Sequence, residues 1–155
     1  MIVDFQNISD ESRLWLYASE LELNKSQINY ISKEITNFLM EWKYHGQELE
    51  SSFVILEKRF VIIALDDSES GVGGCSVDSL QHIIQKIEMV QKVTLLNRLN
   101  IYCKIDNEIK CIPISKLTEI AKSETLFFDL TIQRKFEISS YLKPISEGWC
   151  SYLIK

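Results

Sequence analysis

Six consecutive apolar residues constrain the fold of this chain more than any other stretch. Phe60-Val61-Ile62-Ile63-Ala64-Leu65 has the length of a β-strand but lacks the alternating polar positions of a half-buried strand. A strand of this kind is covered on both faces of its sheet. We therefore expect it to be central, with helices on one face and either the C-terminal third of the chain or a second subunit on the other.

Two stretches have the period of an amphipathic helix. The first begins at Asn24, where Gln27 completes a capping box, and it ends at His45-Gly46. The second follows the central strand, and its apolar residues recur at gaps of three and four. These residues are Leu80, Ile83, Ile84, Ile87 and Val90. Each helix is therefore predicted to bury one stripe against a sheet.

The predicted elements from residue 13 to residue 105 follow the order β-α-β-β-α-β. Strands at 13–18, 53–56 and 101–105 join the central strand. This order is typical of the ferredoxin-like (split βαβ) fold, in which two helices cover one face of an antiparallel sheet. We therefore predict an α+β fold and a single domain over residues 1–155. Its ferredoxin-like core spans 13–105, and a β-rich extension at 106–155 packs on that core.

The extension begins with a predicted hairpin that positions two cysteines. A three-residue loop, Asp106-Asn107-Glu108, would set Ile105 opposite Ile109 and Cys103 opposite Cys111. We expect these thiols to be reduced and packed, as is usual in a reducing compartment. Beyond the hairpin, the pattern predicts a short helix at 115–122 and strands at 126–132, 136–138 and 149–154.

The glycine-rich turn at 71–79, between the central strand and the second helix, is the candidate functional site. A turn of this kind, leading into a helix N-terminus, binds anions through free backbone N–H groups. The predicted ligand-binding residues are Gly73, Gly74, Ser76 and Ser79. We expect a small anionic ligand there, without a cofactor or a metal. The preceding acids Asp66, Asp67 and Glu69 oppose an anion unless they point away from it.

The same turn supports a second interpretation, a thiol-dependent enzyme for acyl transfer or hydrolysis. Cys75 would be the nucleophile, because a helix N-terminus lowers the pKa of a thiol. His45 would be its general base, and Asp78 would orient the histidine. In the ferredoxin-like topology His45, the turn and the loop at 106–108 meet at one end of the sheet. The alternative is structural: Ser76 or Asp78 caps the helix, and Cys75 is a small buried residue.

Charge and composition exclude several function classes. The net charge of −5 disfavours nucleic acid or an anionic membrane as a partner. No apolar run approaches the roughly 18 residues of a membrane span, and the N-terminus lacks a signal-peptide pattern. Four cysteines without a Cys-x-x-Cys pair, and only two histidines, disfavour a structural zinc site. We expect a cytoplasmic binding or interaction module whose partner is a small anionic ligand or a protein, with a homodimer left open.

Three stretches are shared with a known family. They are Arg13-Leu14-Trp15-Leu16-Tyr17, Trp42-Lys43-Tyr44-His45-Gly46 followed by Leu49, and Gly74-Cys75-Ser76-Val77-Asp78-Ser79. Here the chain resembles a small bacterial family of uncharacterised proteins often labelled "ABC transporter ATPase". The likeness covers most of the chain, more loosely after residue 110. The label implies a nucleotide-binding ATPase, but this sequence has no Walker A loop, no Walker B motif and no Leu-Ser-Gly-Gly-Gln signature.

Overall fold

The structure is a computed structural model that describes residues 1–44, 47–67 and 74–154, and the fold is α+β. At 43–44, 47–48 and 74–76 it describes the backbone alone. The chain forms two compact units. The first unit comprises Met1–Leu96 with Gln133–Lys135, and the second comprises Asn97–Ile132 with Phe136–Lys155.

The first unit is built on an antiparallel sheet with β5 in its centre. Its described elements are β1 (Arg13–Ala18), α1 (Lys25–Glu41), β2 (Lys43–Tyr44), β3 (Gln47–Glu48), β4 (Ser51–Leu56), β5 (Phe60–Leu65) and α2 (Gly74–Gln91). The sheet order is β1-β5-β4, and β2 and β3 pair as a separate two-stranded antiparallel sheet. The predicted central strand is therefore confirmed.

Both faces of β5 are covered. Val61, Ile63 and Leu65 belong to a core cluster in which the buried stripes of α1 and α2 also lie. On the opposite face, Phe60 and Ile62 are completely buried as well. The prediction of a strand buried on both sides is confirmed. The choice between the C-terminal third and a second subunit as its cover stays a prediction.

Helix α1 begins where the sequence predicts and ends earlier. The Asn24 side chain accepts a hydrogen bond from the Gln27 backbone at 2.8 Å, and the Gln27 side chain accepts one from the Asn24 backbone at 2.9 Å. This capping box satisfies two donors at the helix start. The helix ends at Glu41, because Trp42 turns into an extended conformation. The predicted stop at His45-Gly46 lies outside the described residues.

Helix α2 differs from its prediction at both ends. It begins at Gly74, so Ser76 and Asp78 lie inside its first turns and the prediction that either one caps it is wrong. Its buried stripe ends at Ile87, and Val90 is 48% exposed. The Glu88 carboxylate accepts hydrogen bonds from the N–H groups of residues 95 and 96, which fixes the chain beyond the helix.

The second unit contains an antiparallel sheet of order β7-β6-β8-β9. Its described elements are β6 (Asn100–Ile105), β7 (Glu108–Pro113), α3 (Leu117–Ile120), β8 (Leu126–Phe128) and β9 (Leu142–Pro144). The predicted helix at 115–122 is a 3-10 turn followed by α3. The predicted strands at 136–138 and 149–154 are wrong, since 3-10 turns occupy Lys135–Ser140 and Ser151–Leu153. Apolar runs this short do not distinguish a strand from a helical turn by periodicity.

The ferredoxin-like arrangement is not confirmed. The order β1-β5-β4 matches three of its strands, but β6, which that fold places beside β1, pairs with β7 and β8 instead. The outer edge of β1 is taken by Gln133–Lys135: Leu14 N–H donates to the carbonyl of Gln133, and Lys135 N–H donates to that of Ser12. The convergence of three loops predicted from that topology stays a prediction. The single domain predicted for 1–155, with its core at 13–105 and its extension at 106–155, stays a prediction.

A two-residue turn, Asp106-Asn107, joins β6 to β7 in place of the predicted three-residue loop. Both residues have positive φ angles, 54° and 61°. A type I′ turn requires this conformation, and Asp and Asn tolerate it. The register moves by one residue, so that Cys103 lies opposite Lys110 and Tyr102 lies opposite Cys111. The predicted facing of Cys103 and Cys111 is therefore wrong, because the shift places them on opposite faces of the sheet.

Candidate functional site

A cavity of about 300 Å³ lies at one end of the first unit's sheet. The residues that line it show at which end of the sheet α2 begins. The walls of the cavity come from the segments just after β1, at the start of α1 and just after α2. The lining residues are Ser19, Glu20, Leu21, Glu22, Asn24, Gln27, Lys92, Val93 and Thr94. Helix α2 therefore ends where β1 ends. Because an 18-residue helix is at least as long as a six-residue strand, α2 begins at the opposite end of the sheet. We call that opposite end the α2 end.

A row of three side chains crosses the sheet at the α2 end. Arg13 of β1 and Ser51 of β4 both lie directly opposite Leu65 of β5. Directly paired residues project to the same face, and Leu65 belongs to the helix-covered core. The guanidinium of Arg13 lies 5.1 Å from the ring centre of Trp15, whose ring is in edge contact with that of Trp42. Arg13 and Ser51 therefore project from the helix-covered face, with Leu65 between them.

Three buried polar atoms without a hydrogen-bond partner belong to residues of strand ends on this side of the first unit. They are Nε of Arg13, Oγ of Ser12 and Oγ of Ser51, and within the described ranges no other buried side-chain nitrogen or oxygen lacks a partner. Ser12 and Ser51 are 0% and 2% exposed. Leaving such an atom unpaired costs about 1–3 kcal/mol, so each of them calls for a physical explanation. Sequence reasoning missed these residues, because a serine or an arginine at a strand end carries no local signal.

The acidic stretch that follows β5 is partly neutralised. Asp67 Oδ1 lies 2.9 Å from a terminal guanidinium nitrogen of Arg134, and the Asp67 side chain is only 12% exposed. The same nitrogen donates to the carbonyl of Glu11. The backbone N–H of Asp66 donates to the carbonyl of Glu50. The predicted repulsion between an anion and Asp67 is therefore reduced by a cation that the sequence places 67 residues away.

No protein-family model, curated protein or solved structure matches this chain.

The residues predicted from the glycine-rich turn fall into three groups. His45, Gly73 and Glu69 lie outside the described residues. Gly74, Cys75 and Ser76 form the first turn of α2, where the backbone alone is described. Asp78 and Ser79 are exposed on α2. In a helix that begins at Gly74, the N–H groups of Asp78 and Ser79 already have intrahelical acceptors. The Cys75, His45 and Asp78 arrangement stays a prediction.

The second unit contains a buried carboxylate whose polar partners are all identified. Asp129, 6% exposed, accepts hydrogen bonds from the backbone and hydroxyl of Thr131 and from Lys143 at 3.0 Å. Burial acts to raise the pKa of Asp129, but the hydrogen bonds and the charge of Lys143 outweigh it and the pKa is lowered. The Asp129 carboxylate is therefore held by donors of the protein itself, which is typical of a structural polar cluster.

The thiols of the second unit are poorly suited to nucleophilic chemistry. Cys103, Cys111 and Cys150 are free, and Cys103 and Cys150 are completely buried in one core cluster. Burial, and to a lesser degree the nearby Cys150, raises the pKa of Cys103 to about 11. Burial also raises the pKa of Cys150. A thiol that stays protonated at neutral pH is a weak nucleophile.

The described part of the chain holds no cluster of three or more histidine, cysteine, aspartate or glutamate side chains placed to bind a metal ion. None of the helices in that part is long and apolar enough to cross a membrane.

Proposed function

We propose that this protein is a binding module for a small anion, which it holds at the α2 end of the sheet. The observation that carries the proposal is the unpartnered Nε of Arg13, at the end of the sheet where α2 begins. A guanidinium donates strongly to oxyanions. The first turn of a helix adds free N–H groups and the positive end of its dipole.

The proposed donors differ from those expected from the sequence. Arg13 joins the set, and the free N–H groups belong to residues 74–76 at the start of α2. Asp67 is compensated by Arg134 and opposes an anion less than an isolated carboxylate would. In this proposal the protein acts in the cytoplasm, where its free thiols stay reduced.

The test compares two arginines at opposite ends of the same sheet. Arg59 donates to the carbonyls of Ser19 and Glu20, at the end away from the start of α2. Phosphate should raise the thermal midpoint of the wild type and of Arg59→Gln, because a ligand stabilises the state that binds it. It should raise that of Arg13→Gln much less. Equal increases in all three proteins, or none in the wild type, would refute the proposal.

One observation favours a second candidate, the thiol enzyme. Cys75 is the second residue of α2, inside the turn where a helix lowers the pKa of a thiol. Its rate of labelling by iodoacetamide against pH is the test, with Cys75→Ser defining the background from the other cysteines. Labelling that is already fast well below the reference thiol pKa of about 8.5 supports an activated nucleophile. A rate that follows the reference thiol, or no labelling before unfolding, removes the enzyme hypothesis.

A further inference from the structure

We infer that the ligand at the α2 end is an organic anion with a second hydrogen-bonding group, held by Arg13 and Ser51 together. This inference rests on the proposed anion site and names its ligand class. Its independent support is Ser51, which is only 2% exposed and whose Oγ has no hydrogen-bond partner among the described residues. A buried hydroxyl without a partner is unexpected in a folded protein.

The register fixes the spacing of the two groups. Arg13 and Ser51 flank Leu65 in one row, two strand spacings apart, which is about 10 Å between their backbones. The serine side chain is short, so its hydroxyl stays near β4. A single phosphate or carboxylate group on Arg13 is too small to reach it. A ligand that engages both needs a charged end and a second polar group several bonds away.

The donors also define the chemistry of each end of the ligand. Nε of Arg13 only donates, so it requires an acceptor, and the positive charge favours an anionic one. Oγ of Ser51 both donates and accepts, so it takes a hydroxyl, a carbonyl or a second carboxylate. Short dicarboxylates and phosphomonoesters of small alcohols share this chemistry.

Both atoms are enclosed in the ligand-free chain. A ligand therefore reaches them by displacing the groups that cover them. Removing the Ser51 hydroxyl should not destabilise the free protein, because no hydrogen bond is lost. The neighbouring Ser52 is a matched control: it is also 2% exposed, but it pairs with Ala64 and projects from the other face.

The experiment measures dissociation constants for phosphate, glycerol 3-phosphate and glutarate by calorimetry on the wild type, Ser51→Ala, Ser51→Thr, Ser52→Ala and Arg13→Gln. We expect at least one organic probe to bind the wild type about tenfold more tightly than phosphate, the effect of one hydrogen bond. Ser51→Ala should lose this advantage and keep its phosphate affinity, and Ser51→Thr should restore it. Ser52→Ala should match the wild type, and Arg13→Gln should weaken every probe. The preferred probe distinguishes a dicarboxylate from a phosphomonoester.

The outcomes separate this inference from the proposed function. If Ser51→Ala keeps the full preference for the organic probe, or if no organic probe exceeds phosphate, the inference is wrong while Arg13-dependent phosphate binding stands. If phosphate and both organic probes bind Arg13→Gln as tightly as the wild type, the anion site itself is wrong, and the inference falls with it. Thermal midpoints of the ligand-free variants show that each one is folded.

Discussion

Asp129 in the second unit and Ser51 in the first unit are both almost completely buried, but they differ in how many hydrogen bonds their polar atoms make. The Asp129 carboxylate has three hydrogen bonds from Thr131 and Lys143. In the part of the chain that the structure describes, the Ser51 hydroxyl has none, and neither do Nε of Arg13 and the hydroxyl of Ser12. Of these polar groups, the carboxylate of the second unit is the one whose charge is matched by hydrogen bonds from the protein.

The contrast separates a structural polar cluster from a candidate binding site. Around Asp129 the hydrogen bonds lower the pKa of the carboxyl, which means that they stabilise its charged form in the folded chain. At the α2 end, Nε of Arg13 and Oγ of Ser51 are also buried but make no hydrogen bond within the described residues, which lowers the stability of the folded chain. In the proposed function, a ligand supplies the missing hydrogen-bond partners.

The largest expected effect is a loss of stability when the Asp129 carboxylate loses its partner Lys143. Lys143→Met should lower the free energy of unfolding by about 2 kcal/mol, because it leaves a buried carboxylate without its cation. Partial exposure of Lys143, 23%, keeps the loss below that of a fully buried pair. Denaturant unfolding measures it. The control is Lys110→Met, whose pair with Glu108 is exposed and should contribute little. Equal losses in the two variants would contradict the structural role of the Asp129 cluster.

A smaller effect should appear in acid. A carboxyl whose pKa is lowered on folding contributes stability that is present above its unfolded pKa and is lost as the pH falls through its folded pKa. For Asp129 this loss begins below about pH 4. Asp129→Asn should therefore show a weaker decline of unfolding free energy with acidification than the wild type does.

Glu108 also has a lowered pKa, caused first by its hydrogen bond to Lys110, so Glu108→Gln is the control for the surface contribution. Parallel acid profiles for the wild type and Asp129→Asn would show that Asp129 is not linked to folding.

The smallest effect compares two hydroxyls, one paired and one unpaired. Thr131→Val removes a hydroxyl that donates to Asp129 and should cost about 1 kcal/mol. Ser12→Ala removes a buried hydroxyl without a partner, so we expect a change within about 0.5 kcal/mol of zero. A Ser12→Ala loss as large as that of Thr131→Val would mean that Ser12 is paired in solution, and the contrast between the two units would weaken.

Elements specified by neighbouring residues were predictable. The capping box of Asn24 and Gln27 placed the start of α1, because its two hydrogen bonds join residues three positions apart. The unbroken apolar run of β5 predicted burial on both faces. The hairpin shows the limit of this reasoning. Its turn sequence carried the signal for Asp106-Asn107, but choosing a loop one residue too long reversed the faces of Cys103 and Cys111.

The candidate site was predictable only in part. The glycine-rich turn precedes α2, which follows the central strand in sequence, and the site predicted there stays a prediction. Arg13 and Ser51 could not be predicted as neighbours from the sequence. They lie 38 positions apart, and they share a row only because both pair with Leu65. The compensation of Asp67 by Arg134 spans an even longer separation.

The sequence by itself determined the local elements: the central strand, the start of α1 and the α+β class. Tertiary structure decided which strand lies beside β1. A strand edge offers unpaired N–H and C=O groups to any extended segment, so local pattern does not distinguish β6 from Gln133–Lys135. The chain places Gln133–Lys135 there, through hydrogen bonds with Ser12 and Leu14. That choice also brings Arg134 to Asp67, and it arises from pairing across more than a hundred residues, which no short window of sequence contains.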